Sequence, residues 1–142
     1  MEMVRTKWWG REYTTPFAAV RMDIDPKYSK ILTIEIRGKI DGHPRGAEGI
    51  AELRRWRRSV DKVIEAEIRQ DDKWHHSNFI EVVEVTDFPT STATQYGIDI
   101  NLLSVVPMSP KEMFNQGEVF IEHIYEVMQQ KLPTDWRFKR NK

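Results

Sequence analysis

The sequence predicts an α+β protein whose strands form a largely antiparallel system that wraps or sandwiches. One helix packs on this system and a second closes the chain. Three observations carry the prediction. Several segments alternate apolar and polar residues with period two, as half-buried strands do. Two segments place apolar residues every three or four positions, as amphipathic helices do. The connections between strands are mostly short and rich in turn residues. A chain of 142 residues is about one domain. It divides into an arm (1–15), a β-rich core (16–108), and a C-terminal helix with a basic tail (109–142).

The arm is polar apart from Trp8 and Trp9. Residues 17–24 form the first predicted strand. Ala18, Val20, Met22 and Ile24 share one apolar face, and Phe17, Ala19, Arg21 and Asp23 share the other. The turn "DPKYSK" follows, with Asp25 before Pro26. Residues 31–40 give the cleanest alternation. Leu32, Ile34 and Ile36 point one way, and Thr33, Glu35, Arg37 and Lys39 the other, so one face meets the core and one meets water. This strand and the one before it pair as an antiparallel hairpin.

"DGHPRG" breaks the pattern, and a helix is predicted over 47–59. Ile50, Leu53, Trp56 and Val60 form its apolar stripe. Arg54, Arg55, Arg57 and Arg58 fill the rest of its last turns, where positive charge suits the helix dipole. Period two returns over 63–68, with Ile64, Ala66 and Ile68 together, which predicts a strand. "RQDDKWHHSN" reads as a polar hairpin tip, 79–88 as a strand, "DFPTSTAT" as a loop, and 96–106 as a long strand. In that last strand Tyr96, Ile98, Ile100 and Leu102 face one side. "MSPKEMF" then opens a helix: Ser109 is the N-cap, Pro110 suits the first turn, and Glu112 completes a capping box. Phe120, Ile121, Ile124, Val127 and Met128 supply its stripe. Gly117 predicts a bend or weak first turn, and Pro133 ends the helix.

Composition excludes several classes of function. There are no cysteines, which removes disulfide scaffolds, zinc knuckles and thiol nucleophiles. Lys+Arg and Asp+Glu both number 22, so the basic excess of a dedicated nucleic-acid binder is absent, although charge can segregate locally. No apolar run approaches the roughly 18 residues of a membrane span, and "MEMVRTKWWGREYTT" carries no apolar signal core. Aromatic residues are plentiful, and Trp8 and Trp9 suit an interface.

Sites with chemical potential are few. The arginine helix offers guanidinium forks that match phosphate. Its acidic neighbours Glu48, Glu52 and Asp61 favour a solvated, ion-paired face or a subunit interface instead. Asp71, Asp72, His75 and His76 in "DDKWHHS" are potential hard-oxygen and imidazole ligands. They lack the spacing of a helical metal motif, and a hydrophilic hairpin tip explains them equally. Asp23 and Asp25 alternate on one strand face, but Asp-Pro is ordinary turn chemistry. His43 and His123 have no evident orienting partner. No G-x-S-x-G elbow, G-x-G-x-x-G loop or P-loop occurs, so no nucleophile, base and oxyanion donor come together. The expectation is a protein without catalytic residues, metal or cofactor.

The run "KILTIEIRGKIDG", "GAEGIAELRRWRRS", "DKVIEAEI", "FIEVVEVTDFP", "QYGIDINLLSVVP" resembles the phage tail-tube fold family. That family holds tail-tube, baseplate and tail-tip proteins and the related tube protein of type VI secretion. The resemblance covers about residues 31–106. It implies a sandwich or barrel of the tail-tube type and a structural role in a virion tail assembled in the host cytoplasm. Subunits, commonly six, would join edge to edge in a ring, with neighbouring tail or baseplate proteins as further partners. DNA would at most pass through the lumen. The faces Thr33, Glu35, Arg37 and Lys39, or Glu81, Val83 and Val85, would compete for that lumen. The helix and basic tail from Ser109 onward exceed a minimal tube subunit and suit a specialised ring at a tube end. Interface residues on this reading are Trp8, Trp9, Arg54, Arg55, Arg57, Arg58, Trp136, Arg137 and Phe138. The arm and tail would order on assembly, so trimming 1–12 or 134–142 should spare the fold. The alternative is a small binding module, an inhibitor or nucleotide-binding protein, whose pocket combines arginines with Trp8, Trp9, Trp74 or Trp136.

Overall fold

The alternation read from the sequence becomes one antiparallel sheet with both helices on a single face. The structure, a computed structural model, describes residues 9–41, 46–75, 80–87, 93–132 and 138–141; for Asp41 and residues 46–50, 80–87, 93 and 94 it describes the backbone alone. Strands β1 (Trp9–Thr14), β2 (Ala18–Ile24) and β3 (Ile31–Asp41) form a meander. Helix α1 (Gly46–Gln70) follows, then β4 (Trp74–His75), β5 (Ile80–Asp87), β6 (Ala93–Ser104) and helix α2 (Pro110–Lys131). The sheet order is β1-β2-β3-β6, with β4 and β5 both pairing along the far side of β6. All pairings are antiparallel, and β5 carries a bulge between Val82 and Glu84. Among the described residues the sheet is open: β1 and the β4/β5 side are its two edges.

Register explains the core. Val20 lies opposite Ile36 and Ile36 opposite Ile98; Met22 lies opposite Ile34 and Ile34 opposite Ile100. A period-two strand therefore delivers all its apolar residues to one side. Ala18, Val20, Met22, Ile24, Leu32, Ile34, Ile36, Ile98, Ile100 and Leu102 are all buried there. α2 covers β2 and β3. A Cβ on Gly117 would lie 2.7 Å from Leu32 Cδ2 and 2.8 Å from Met22 Sδ, so glycine sets how closely this helix approaches the sheet. It produces no break, since α2 runs without interruption through it. The predicted capping box is present: Ser109 Oγ accepts from Glu112 N, and Glu112 Oε1 accepts from Ser109 N. Leu132 ends the helix in extended conformation (ψ 152°), as a residue before proline prefers.

Three predicted elements are corrected. The strand over 63–68 is helix, because α1 is continuous for 25 residues. Trp56, Val60, Val63, Ile64, Glu67 and Ile68 are its buried residues, at helical spacing. Ile64 and Ile68, four positions apart, belong to that stripe, while Ala66 between them is only half-buried. The four arginines therefore sit mid-helix, not in its last turns. Within the predicted arm, residues 9–14 are strand β1. β1 buries no complete face, so it shows no apolar alternation; its ladder to β2 and the packing of Tyr13 hold it. The hairpin tip shrinks, since Arg69 and Gln70 are helical and Trp74 and His75 form β4.

Candidate interaction surfaces

Sheet and helix geometry leave three surfaces that a partner can reach. The first is the free edge of β1. Thr15 N donates to Ala18 O at 2.8 Å, which closes the β1–β2 hairpin. Backbone amides alternate sides along a strand. The amides of Trp9, Arg11 and Tyr13 thus face β2, and those of Gly10, Glu12 and Thr14 face outward at the edge. Side chains divide between the two faces of the sheet. Trp9, Arg11 and Tyr13 lie on the helix side, with their partners Ile24, Met22 and Val20. Arg11 Nη1 reaches Asn115 Oδ1 and Glu118 Oε2, each at 2.8 Å, and its guanidinium stands 5.1 Å over the Phe114 ring. Burial, together with the charges of Glu118 and Glu122, pushes the Tyr13 hydroxyl far above its ordinary range. Trp9 is exposed beside this contact and, with Arg11, Arg21, Lys111 and Phe114, lines an open groove of about 750 Å³ along the edge.

The second surface is the sheet face away from the helices. Ala19, Arg21, Arg37, Lys39 and Gln95 are exposed on it, and Asp23, Thr33, Glu35, Asp99 and Asn101 are half-buried. No described element covers it. Its charges are interleaved: Arg37 Nη1 meets Asp99 Oδ1 at 3.0 Å, and Arg21 Nε meets Asp23 Oδ2 at 3.2 Å. Asp25 does not join Asp23 in a carboxylate pair. It accepts from Lys27 N at 3.0 Å and caps the turn Pro26–Tyr28.

The third surface is the outer face of α1. Trp56 and Val60 are buried and Leu53 packs against the core, as predicted; the side chain of Ile50 lies outside the described residues. Arg55 pairs with Glu52, one of the expected carboxylates. Arg54, Arg57 and Arg58 are exposed. Arg54 and Arg58, one turn apart, make no ion pair among the described residues.

Phe138 is corrected from interface to core. Its ring lies 5.0 Å from Tyr125, 5.4 Å from Tyr96, 5.8 Å from Trp56 and 6.3 Å from Phe17. Beyond Gly38, where the ladder from β3 to the start of β2 stops, the tail takes its place beside β3. Phe138 bridges Ile40, Lys139 N donates to Lys39 O at 2.7 Å, and Asn141 Nδ2 donates to Thr15 O at 2.9 Å. The Tyr96 and Tyr125 hydroxyls meet at 2.6 Å inside the same cluster. Burial raises the pKa of both. Gly38 makes room for them, since a Cβ there would lie 2.6 Å from Tyr96 Oη. Trp74 is likewise buried. Trp8, Trp136, Arg137, His43, His76 and the side chain of Glu48 lie outside the described residues.

Among the described residues, the loop after α1 does not gather ligands. Asp71 Oδ1 accepts from Lys73 N at 2.9 Å and pairs with Lys73 Nζ at 3.1 Å. Among the described residues no three metal-binding side chains converge. Sequence reasoning missed one pair nearby: His123 Nε2 meets the buried Glu67 Oε1 at 2.7 Å and ties α2 to α1. The signal was a carboxylate at a stripe position of α1, visible only once 63–68 is read as helix. No helix is long and apolar enough to cross a membrane among the described residues. No family model, curated protein or solved structure matches this chain.

Proposed function

We propose that this chain is a structural subunit that closes its sheet with copies of itself, forming a ring in the tail, baseplate or tail tip of a phage or phage-like injection machine. The observation that carries the reading is the open sheet with helices on one face alone. A sheet edge presents unpaired amides and carbonyls, and closure by a neighbour satisfies them. Joining the β1 edge of one subunit to the β4/β5 edge of the next is a head-to-tail contact, which cyclic symmetry requires. The closed ring would be a barrel of the tail-tube type. Its lumen would carry the polar face with Thr33, Glu35, Arg37 and Lys39, and its outer wall would carry α1 and α2. Arg54 and Arg58 would then meet carboxylates of a neighbour or of the next layer. The role is mechanical and needs no catalytic residue, metal or cofactor.

The test is particle mass and shape over a concentration series, by light scattering with negative-stain imaging, on the wild type and on Glu12→Pro. The wild type should give rings or tubes. Glu12→Pro removes an outward amide without touching the β1–β2 ladder, so it should keep the monomer fold and lose assembly. A wild type that stays monomeric throughout, or a Glu12→Pro variant that still forms rings, overturns the reading. A second reading, a small binding module, is favoured by the groove of Trp9, Arg11 and Phe114 beside the β1 edge. It predicts a monomer whose Trp fluorescence responds to added nucleotide.

A further inference from the structure

The tail brings charge as well as Phe138. Lys139 and Arg140 follow that anchor, and the bond from Lys139 N to Lys39 O sets them at the end of β3. A notch of about 680 Å³ opens there on the uncovered sheet face, lined by Arg37, Lys39, Gln95, Lys139, Arg140 and Asn141 among others. Four cationic side chains come from two segments about 100 residues apart. No carboxylate whose side chain is described lines the notch. Arg37 is held by Asp99. Arg140 lies 5.1 Å over the Phe17 ring, a contact that leaves its N–H fork free to donate. Lys39 is exposed and makes no ion pair among the described residues. Elsewhere on this face the charges alternate, with Arg21 beside Asp23. A local cationic concentration in a chain with no formal net charge is the segregation that a neutral total conceals.

We propose that this notch binds phosphate groups, with Lys39 and Arg140 as the principal donors and Lys139, Arg37, Gln95 and Asn141 around them. Arg offers a planar fork matched to phosphate oxygens and Lys a mobile point charge, and the pair spans one or two adjacent phosphates. The phosphate can belong to a small polyphosphate or to a nucleic-acid strand lying along the sheet face. The inference does not rest on ring assembly, because every donor belongs to one subunit.

Two probes separate the sources. Inorganic pyrophosphate is titrated by calorimetry, and a fluorescein-labelled single-stranded oligonucleotide by anisotropy, both with the full chain at low salt. At least one should bind. Lys39→Gln and Arg140→Gln should each weaken it about tenfold, the loss of one charge-assisted hydrogen bond. If the strand is the ligand, each change should also flatten the salt dependence by about 0.7 in log–log slope. Lys39→Gln alters an exposed side chain and keeps the backbone bond, so it remains informative if Arg140→Gln lowers the melting temperature. The control Lys27→Gln/Lys30→Gln removes two positive charges from the exposed turn before β3, at the end of that strand opposite Lys39, and should leave binding unchanged. Binding of pyrophosphate alone identifies a small polyphosphate, and preference for the oligonucleotide identifies a strand. Failure of both probes to bind overturns the proposal, as does equal binding by wild type and both notch variants.

Discussion

Tyr96 and Tyr125 set a pH limit on this fold. In the folded chain burial holds both phenols protonated beyond their ordinary value near 10, and Tyr13 behaves alike. The unfolded chain releases those protons near pH 10. Above that pH the unfolded state therefore binds fewer protons than the native state, and stability falls as pH rises. Denaturant unfolding should give a plateau below pH 9–10, marked by about that limit, and a steep loss above it. Tyr125→Phe should make the loss shallower. Gly117 poses a different question at the same scale. An added methyl meets only the flexible ends of Leu32 and Met22, and alanine gains up to about 1 kcal/mol in helix propensity over glycine. Gly117→Ala should thus change stability by less than about 1 kcal/mol, the two effects offsetting. Gly117→Leu cannot fit and should cost about 2 kcal/mol or more. Chemical denaturation of the two variants checks both.

The helices are coupled at one polar point. Glu67 is buried on α1, and His123 on α2 is about half exposed, with its side chain 52% accessible. Removing His123 leaves a buried carboxylate without this partner, whereas changing Glu67 to Gln keeps an oxygen acceptor. His123→Leu should therefore destabilise by about 1–3 kcal/mol and Glu67→Gln by less. The reverse order in thermal or denaturant melts would show that the pair holds nothing. α1 also shows how a period can mislead. Ile64, Ala66 and Ile68 alternate in a six-residue window, but the stripe from Leu53 through Trp56, Val60 and Val63 continues at helical spacing across it. Length settles such ambiguity, because strands seldom need 25 residues of one pattern. β1 misleads in the other direction. An edge strand with its exposed residues on both faces carries no apolar period, and only the ladder to β2 defines it.

For the whole molecule, one residue of the basic tail, Phe138, is part of the core. Phe138 packs against four aromatic rings, and Lys139 and Asn141 bond to β3 and to the β1–β2 turn. Trimming that tail was expected to spare the fold. The structure reverses the expectation: truncation before Phe138, like Phe138→Ala, should cost about 3–5 kcal/mol. A truncated chain that melts like the full one would refute the packing described. The open sheet is the other property at this scale. One layer of strands with one layer of helices leaves a polar face and two edges, and the ring proposed above would use all three.

Local chemistry was legible in the sequence. Period two in 18–24, 31–40 and 96–102 placed the sheet core, because side chains alternate faces whatever the partner strand is. The capping box at Ser109 and the α1 stripe at Trp56 and Val60 were equally local, depending on residues within a turn of each other. What the sequence could not order were contacts between distant segments. Phe138 reads as a surface aromatic in a basic tail until Tyr96, Tyr125, Trp56 and Phe17 surround it. His123 lacks a partner until Glu67 faces it across two helices. Lys39 and Arg140 are unrelated cations until the tail continues the sheet beside β3. Each of these depends on loop closure and packing over long chain separations, which no local period encodes. Tertiary structure alone therefore decided which aromatic is core, which face stays open, and where charge gathers.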